Sequence, residues 1–429
     1  MEMLVNLKML GLTMDERKNI YKRFATEYQK ASKKEKSKIL DNFVRFSGLN
    51  RNYSATLLRT NGKTLYIKPK IKVKADITKD GKHKRGRKRI YEEELIPILI
   101  KVWEYSSCAC GKRLVVSKED FIMSLLEQGK IYLSSEQLKK IMSMSASTID
   151  RLLSKEKKKY RFKDRSKTKP GTLLKHQIPI KTFSEWDNTQ VGFLQADLVS
   201  HDGSIGKGEF FYSLNLTDVK TGWNETLILK NKARVWVVKG IDKVIKSLPF
   251  KVLGIDSDNG SEFINSHLLS YCEDNKITFT RNRPYKKDDN CYVEEKNYSI
   301  VRRFVGYYRY DTEEEFNILE ELYSYLRLYT NHFLPVMKLQ EKTKIGSKIK
   351  KKYDVPKTPY KRVLEYYINN INITEEEKTF MEKLIEEHNR IDPCMLKDKI
   401  TECQRKLIKL CREKQRRNIN LNYKVDTFE

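Results

Sequence analysis

Three acidic residues stand where an ionised carboxylate is costly unless something compensates it. Asp197 falls inside the apolar run Phe193-Leu194-Gln195-Ala196-Asp197-Leu198-Val199, which reads as a strand. Asp258 follows the short buried run Val252-Leu253-Gly254-Ile255, within Asp256-Ser257-Asp258-Asn259-Gly260-Ser261-Glu262-Phe263. Glu294 lies in a helix expected from Tyr292 to Val305. Charge on a central strand is unfavourable unless paired or metal-bound. Three carboxylates gathered at one end of a sheet repel one another, and divalent cations relieve that repulsion. Oxygen-only ligands favour Mg²⁺ or Mn²⁺ over zinc. Two such ions, about 4 Å apart, activate a water or a 3′-hydroxyl and stabilise the leaving oxygen of a phosphodiester. Taken singly, each acid reads equally well as a surface charge, a helix cap or a turn residue, and Asp-Asn-Gly is a common turn.

The surrounding pattern supplies a scaffold. Phe210 to Val219 and Trp223 to Leu229 read as two further strands, and residues 233–248 carry apolar positions at helical spacing. Lys251 to Ile255 is a short buried strand, Glu262 to Asp274 a helix and Ile277 to Thr280 a strand. Three strands in a row, then alternating helix and strand, indicate a mixed α/β sheet.

Residues 189–310 resemble the catalytic core shared by retroviral integrases and many bacterial insertion-sequence transposases, a ribonuclease H-like fold. That family carries an Asp on its first strand, an Asp before Asn-Gly, and a Glu after 35 intervening residues; Asp258 and Glu294 are separated by 35 residues here. Asp258-Asn259-Gly260-Ser261-Glu262-Phe263 is similar to the second motif, and Gln195-Ala196-Asp197 sits where the first belongs. The resemblance implies an α/β ribonuclease H-like core with a mixed five-stranded sheet and flanking helices. It implies Asp197, Asp258 and Glu294 as catalytic residues and as ligands of two Mg²⁺ or Mn²⁺ ions. Pro284-Tyr285 and Asn290 resemble the loop that precedes the family's Glu and approaches the DNA end. Asn297, one helical turn past Glu294, matches a position where the family often carries a polar residue. There are departures: Cys291 replaces the usual Gly, and Val301 stands where related integrases place a Lys, with Arg302-Arg303 following as candidate phosphate contacts. Asp256 and Glu295 are neighbouring alternatives that the spacing and the Asn-Gly disfavour.

The chain has 429 residues and a net charge of +29, so several domains and a polyanionic partner are expected. Residues 1–190 hold 44 Lys+Arg against 21 Asp+Glu, the remainder 42 against 36. Residues 1–62 read as an N-terminal helical, helix-turn-helix-like domain, with Gly48-Leu49-Asn50 as the break, and 63–90 as a basic linker. Within that linker, Arg85, Arg87 and Lys88 are candidate DNA contacts. Residues 91–160 read as a second helix-turn-helix domain whose recognition helix follows Met142-Ser143-Met144-Ser145 and presents Ser147, Thr148 and Arg151. A second basic linker over 161–188, the core over 189–335 and a basic, mainly helical region with a disordered end over 336–429 complete the chain.

Seven scattered cysteines suit a reducing compartment better than a disulfide scaffold, and Cys108 and Cys110 lack companions at zinc spacing. No apolar run approaches the roughly 20 residues of a membrane span; a bacterial cytoplasmic, nucleoid-associated location is expected. The expected activity is transposition and DNA integration: binding of mobile-element ends, strand cleavage and transfer to target DNA, without a covalent protein–DNA intermediate. DNA and further copies of the chain are the expected partners, with neither a membrane nor a small-molecule substrate. The alternatives are a catalytically silent DNA-binding regulator derived from a transposase, and a ribonuclease H-like nuclease that cuts without joining.

Overall fold

A computed structural model describes residues 13–68, 71–77, 91, 93–160, 190–203, 206–282, 290–345, 348–370 and 373–425. The chain divides into two compact units, residues 1–89 and 90–429.

The first unit is built on three helices. α1 (Met14–Lys30) and α2 (Lys33–Ser47) both begin with capping boxes, Thr13 with Glu16 and Ser32 with Glu35. α2 ends at Gly48, whose φ of 70° closes the helix in the left-handed region. α3 (Arg51–Thr60) follows, capped by Asn50. Ala25, Leu40, Phe43 and Leu58 form the core. A hairpin, β1 (Thr64–Lys68) and β2 (Ile71–Lys74), then occupies the start of the expected linker. Its lysines mask the alternation that would reveal it. Arg85, Arg87 and Lys88 lie outside the described residues.

The second unit opens with α4 (Leu95–Tyr105), α5 (Gly111–Glu127), α6 (Ser135–Met142), α7 (Ala146–Leu152) and the single turn α8 (Ser154–Lys157). The sheet comprises β3 (Phe193–Ser200), β4 (Tyr212–Asp218), β5 (Asn224–Leu229), β6 (Gly254–Ser257) and β7 (Thr278–Arg281), in the order β5-β4-β3-β6-β7. β3, β4 and β5 pair antiparallel, while β6 and β7 run parallel to β3, giving the expected mixed five-stranded sheet. Parallel strands need crossovers, and α9 (Arg234–Ser247) and α10 (Ser266–Asp274) supply them. α10 starts later than Glu262, because Asn265 takes the capping position by accepting from Leu268 N at 3.0 Å.

α11 (Cys291–Lys296) continues through a π-helical turn, Asn297–Arg302, into α12 (Arg303–Val305), and α13 (Glu313–Phe333) crosses the sheet beside β5. A second hairpin, β8 (Leu339–Ile345) and β9 (Lys348–Tyr353), precedes α14 (Pro359–Asn369), α15 (Glu375–Arg390) and α16 (Pro393–Val425). The region past 336 thus adds a hairpin to the helices expected there, and helix continues through Val425 where a disordered end was expected.

Two cores hold this unit. One joins β3, β4, β5 and β6 to α9, α10, α14 and α15 through residues such as Leu214, Ile241, Phe263 and Tyr360. The other joins α4–α7 to α12, α13 and α16 through Trp103, Phe121, Ile149, Phe304, Tyr329 and Leu407. Residues 91–160 therefore share their packing with the catalytic region. Phe121 meets Tyr329 edge to face at 6.2 Å, Ser124 donates to Asp392 at 2.8 Å, and Ser107 and Tyr329 hydroxyls lie 2.9 Å apart.

Candidate active site

Strand register brings the first two acids together. β3 and β6 run parallel with Ala196 opposite Ser257. Asp197 and Asp258 are each the next residue, so they occupy the same end of adjacent strands, about 5 Å apart in backbone. Gly254 opens β6 because a Cβ there would meet the Phe193 ring at 2.7 Å. Past the strand, Gly260 N donates to Asp258 Oδ1 at 2.9 Å, and a Cβ on Gly260 would lie 2.9 Å from that same oxygen. The Asn-Gly pair thus gives the second acid its turn and the room beside it. Gln195 fixes the third acid's helix: its Oε1 accepts from Tyr292 N at 3.1 Å and Val293 N at 3.4 Å, tying the first turn of α11 to β3.

The charges respond to one another. Burial pushes the Asp197 carboxyl up to about 7, with Asp258 adding repulsion and Glu294 a smaller share. The Leu198 N–H (2.8 Å) and the Asn297 amide (2.6 Å) offset part of this. Asp258 is also raised, by burial first and by Glu262 beyond it, against the Gly260 N–H. Asp256 accepts from Thr280 Oγ1 at 2.7 Å on the neighbouring strand, and Glu295 pairs with buried Lys296 at 3.4 Å. Asp258 and Glu294 are the acids that raise Asp197 most.

Asn297 faces Asp197. Its amide donates to Asp197 Oδ2, and its Oδ1 accepts from Asn215 Nδ2 at 2.8 Å. Asn215 Oδ1 accepts from Thr226 Oγ1 at 3.0 Å, whose oxygen accepts from Asn224 Nδ2 at 3.0 Å, and Asn224 Oδ1 accepts from Thr217 at 2.7 Å. Every donor in this chain points toward Asp197, across the buried strands β4 and β5. Such a polarised network fixes all three amide orientations. Sequence reasoning missed Asn215, Thr226 and Asn224. Their signal was present: Ser213, Asn215 and Thr217 alternate with Leu214 and Leu216 along a buried strand. The π turn at Asn297 widens the helix as Asn297 turns to the sheet, and such turns often mark functional sites.

The oxygen donors suit a hard divalent cation, and the like-charged pair Asp197 and Asp258 is what such an ion relieves. Glu294 stands exposed on α11. Among the described residues no three His, Cys, Asp or Glu side chains are close enough together to hold a metal ion. The structure therefore seats the two aspartates on adjacent strands, with the Glu294 charge acting on Asp197 from α11.

The remaining candidates are spread out. Ser147 and Arg151 are exposed on one face of α7, while Thr148 is half-buried and its backbone and hydroxyl bond the capping Ser145. Lys118, buried in α5, donates to the carbonyls of Ile141 (3.2 Å), Met142 and Met144 (3.1 Å), so it pins the turn between α6 and α7. Arg302 lies over the Tyr307 ring at 4.7 Å, and Arg303 donates to the Ser107 carbonyl, both committed within the protein. Asn290 is buried before α11, and Tyr285 lies outside the described residues.

Comparison with known proteins agrees with this reading. Residues 188–287 match the integrase core domain family. An uncharacterized protein, y4rM, of Sinorhizobium fredii is 31% identical over 351 residues, spanning 82% of this chain and 96% of the relative. The chain belongs to the integrase core family. Its sheet is the ribonuclease H-like integrase sheet, and its core is of the polynucleotidyl transferase type. The family match includes Asp197 and Asp258 and ends before Glu294. Solved integrase cores also align with this integrase-core protein. The BIV integrase core aligns at 20% identity and TM-score 0.28, over 41% of this chain and 94% of that one. An HTLV-2 integrase core in complex with magnesium aligns at 16% and 0.26, over 34% and 88%. No helix among the described residues is long and apolar enough to cross a membrane.

Proposed function

We propose that the protein is a DNA transposase that binds the ends of a mobile element, cleaves a strand there and joins the freed 3′-hydroxyl to target DNA. The observation that carries this is the parallel register seating Asp197 beside Asp258, with charge from both Asp258 and Glu294 felt at Asp197. Asp197, Asp258 and Glu294 would hold two Mg²⁺ or Mn²⁺ ions, which activate the attacking oxygen and stabilise the leaving one. Asn297 holds Asp197 in one rotamer, and Gln195 keeps α11 against the strand. Ser147 and Arg151 face outward from the recognition helix, and Arg85, Arg87 and Lys88 follow phosphates. Two ends must be joined, so a dimer or larger assembly forms on DNA.

The test is strand transfer by purified protein with Mg²⁺ and its element's terminal DNA. Joined product is expected from the natural sequence and none from Asp258→Asn or Glu294→Gln. Transfer unaffected by either change refutes the assignment. Cleavage without joining identifies a nuclease, and sequence-specific binding without cleavage a silent regulator. Short inverted repeats flanking the coding sequence provide an independent check.

A further inference from the structure

α16 separates its residues by role. Ile400, Cys403, Leu407 and Cys411 are buried against α13 and the helices before the sheet, and Lys414 on the same side is neutralised by Asp311 at 2.9 Å and Glu315 at 2.7 Å. At about 100° per residue, Arg405, Lys409, Arg412 and Arg416 fall within an arc of roughly 60° diametrically opposite that seam. All four are exposed, and among the described residues none has an ion-pair partner. They line a shallow groove with Ile408 and Glu413, the one acid there. Other charges on the helix are occupied: Lys406 pairs with Glu402 at 2.9 Å, and Asp398 with Lys130. Four exposed cations in one row on a rigid rod, with Glu413 among them and Glu402 near Arg405, are therefore a feature of the fold and not an average of its charge.

We propose that this face of α16 is a duplex DNA backbone-binding surface, contacting consecutive phosphates of one strand through Arg405, Lys409, Arg412 and Arg416. The claim rests on the transposase reading above and adds a contact region to it. The row spans 11 residues, about 16 Å at 1.5 Å each, long enough for the four side chains to reach several successive phosphates of one strand. The contacts carry no sequence information; they set position and supply counterion release. α16 is fixed to the catalytic helix, since Gln404 Nε2 donates to the Phe304 carbonyl at 2.7 Å. DNA held here is registered against the helix that carries Glu294.

The experiment uses the full chain and a fluorescent random-sequence duplex, with affinity measured from low to moderate NaCl. Natural protein is compared with R405Q/K409Q/R412Q/R416Q and with a control of equal charge change at exposed sites elsewhere, K232Q/K251Q/K276Q/K383Q. Circular dichroism checks folding, and R405K/R412K/R416K keeps the charges. Neutralising four phosphate contacts makes the slope of log affinity against log salt shallower by about 3.6, at about 0.9 per contact. The lysine variant keeps the slope, and the control changes it by less than half as much. An unchanged slope in the α16 variant, or an equal change in the control, overturns the proposal and leaves the transposase reading intact. So does loss of binding to anionic phospholipid vesicles with DNA binding retained. Natural protein that binds no DNA overturns both.

Discussion

Replacing Asp197 by Asn is expected to stabilise the metal-free protein at pH 8, although it abolishes the proposed activity. The folded carboxyl sits at about 7 against 3.8 for the unperturbed group. A raised carboxyl binds its proton more tightly in the folded state, so no penalty exists below pH 3.8. The penalty then grows as pH rises, and is complete above 7. At about 1.36 kcal/mol per pH unit it reaches about 4 kcal/mol at pH 8 and is under 2 kcal/mol at pH 5. An Asn carries no charge, so it removes the burial penalty and the repulsion from Asp258 and Glu294. Its amide nitrogen must, however, face either the Leu198 N–H or the Asn297 amide, and losing that hydrogen bond costs about 1–3 kcal/mol. Urea unfolding in EDTA should therefore show the variant more stable than natural protein by about 1–3 kcal/mol at pH 8, and no more stable at pH 5. Adding Mg²⁺ should remove most of that difference, since a ligand at 100 times its Kd contributes about 2.7 kcal/mol to the protein that binds it. Equal stability at pH 8 without metal, or a difference that ignores pH, would show that burial and the neighbouring acids do not raise the Asp197 carboxyl.

Other consequences follow from the same coordinates. Asn215→Leu strands the Asn297 carbonyl and the Thr226 hydroxyl; it should cost about 1–3 kcal/mol in urea unfolding and lower strand transfer at least tenfold. Gly260→Ala pushes on the Asp258 carboxylate and the Glu262 side-chain end. Strand transfer should fall more than tenfold while the unfolding midpoint moves little. Lys118→Met removes three carbonyl contacts from the α6–α7 turn. About 2–3 kcal/mol of stability should go, and preference for end-sequence over random DNA should weaken in competition binding. His388, stacked on Tyr360 at 4.0 Å, is lowered to about 4 by burial, then by His332 and Lys361. Its contribution is present above pH 6.5 and lost as pH falls toward 4, so His388→Phe should flatten stability by about 2 kcal/mol between pH 6.5 and 4.5, a window above the range where Glu387, held at about 2, titrates.

The sheet was legible because each strand is a compact apolar run with turn residues on both sides, and its order follows from the parallel crossovers. The helix ends at residues 47–50, 134 and 145 were legible from Gly48, Ser134 and Ser145, small residues whose capping roles are local. Long-range pairings left less trace. Nothing near Lys118 in sequence announces three carbonyls some twenty residues later, and Asn297 looks like any helix residue until β4 supplies Asn215. The hairpins failed for a different reason. In β8 and β9, lysines fill both faces of Leu339–Ile345 and Lys348–Tyr353, so alternation gives no signal.

The packing shared by α4–α7 with α12, α13 and α16 acts as a ruler. α7 and the helix that continues from Glu294 share one continuous interior, so, if the protein acts as the transposase proposed above, the span between the base pairs read and the phosphodiester approached is built into it as a constant. Lengthening the chain between α8 and β3 would then leave the position of cleavage where it was, because side-chain packing and not the connecting peptide sets that interval.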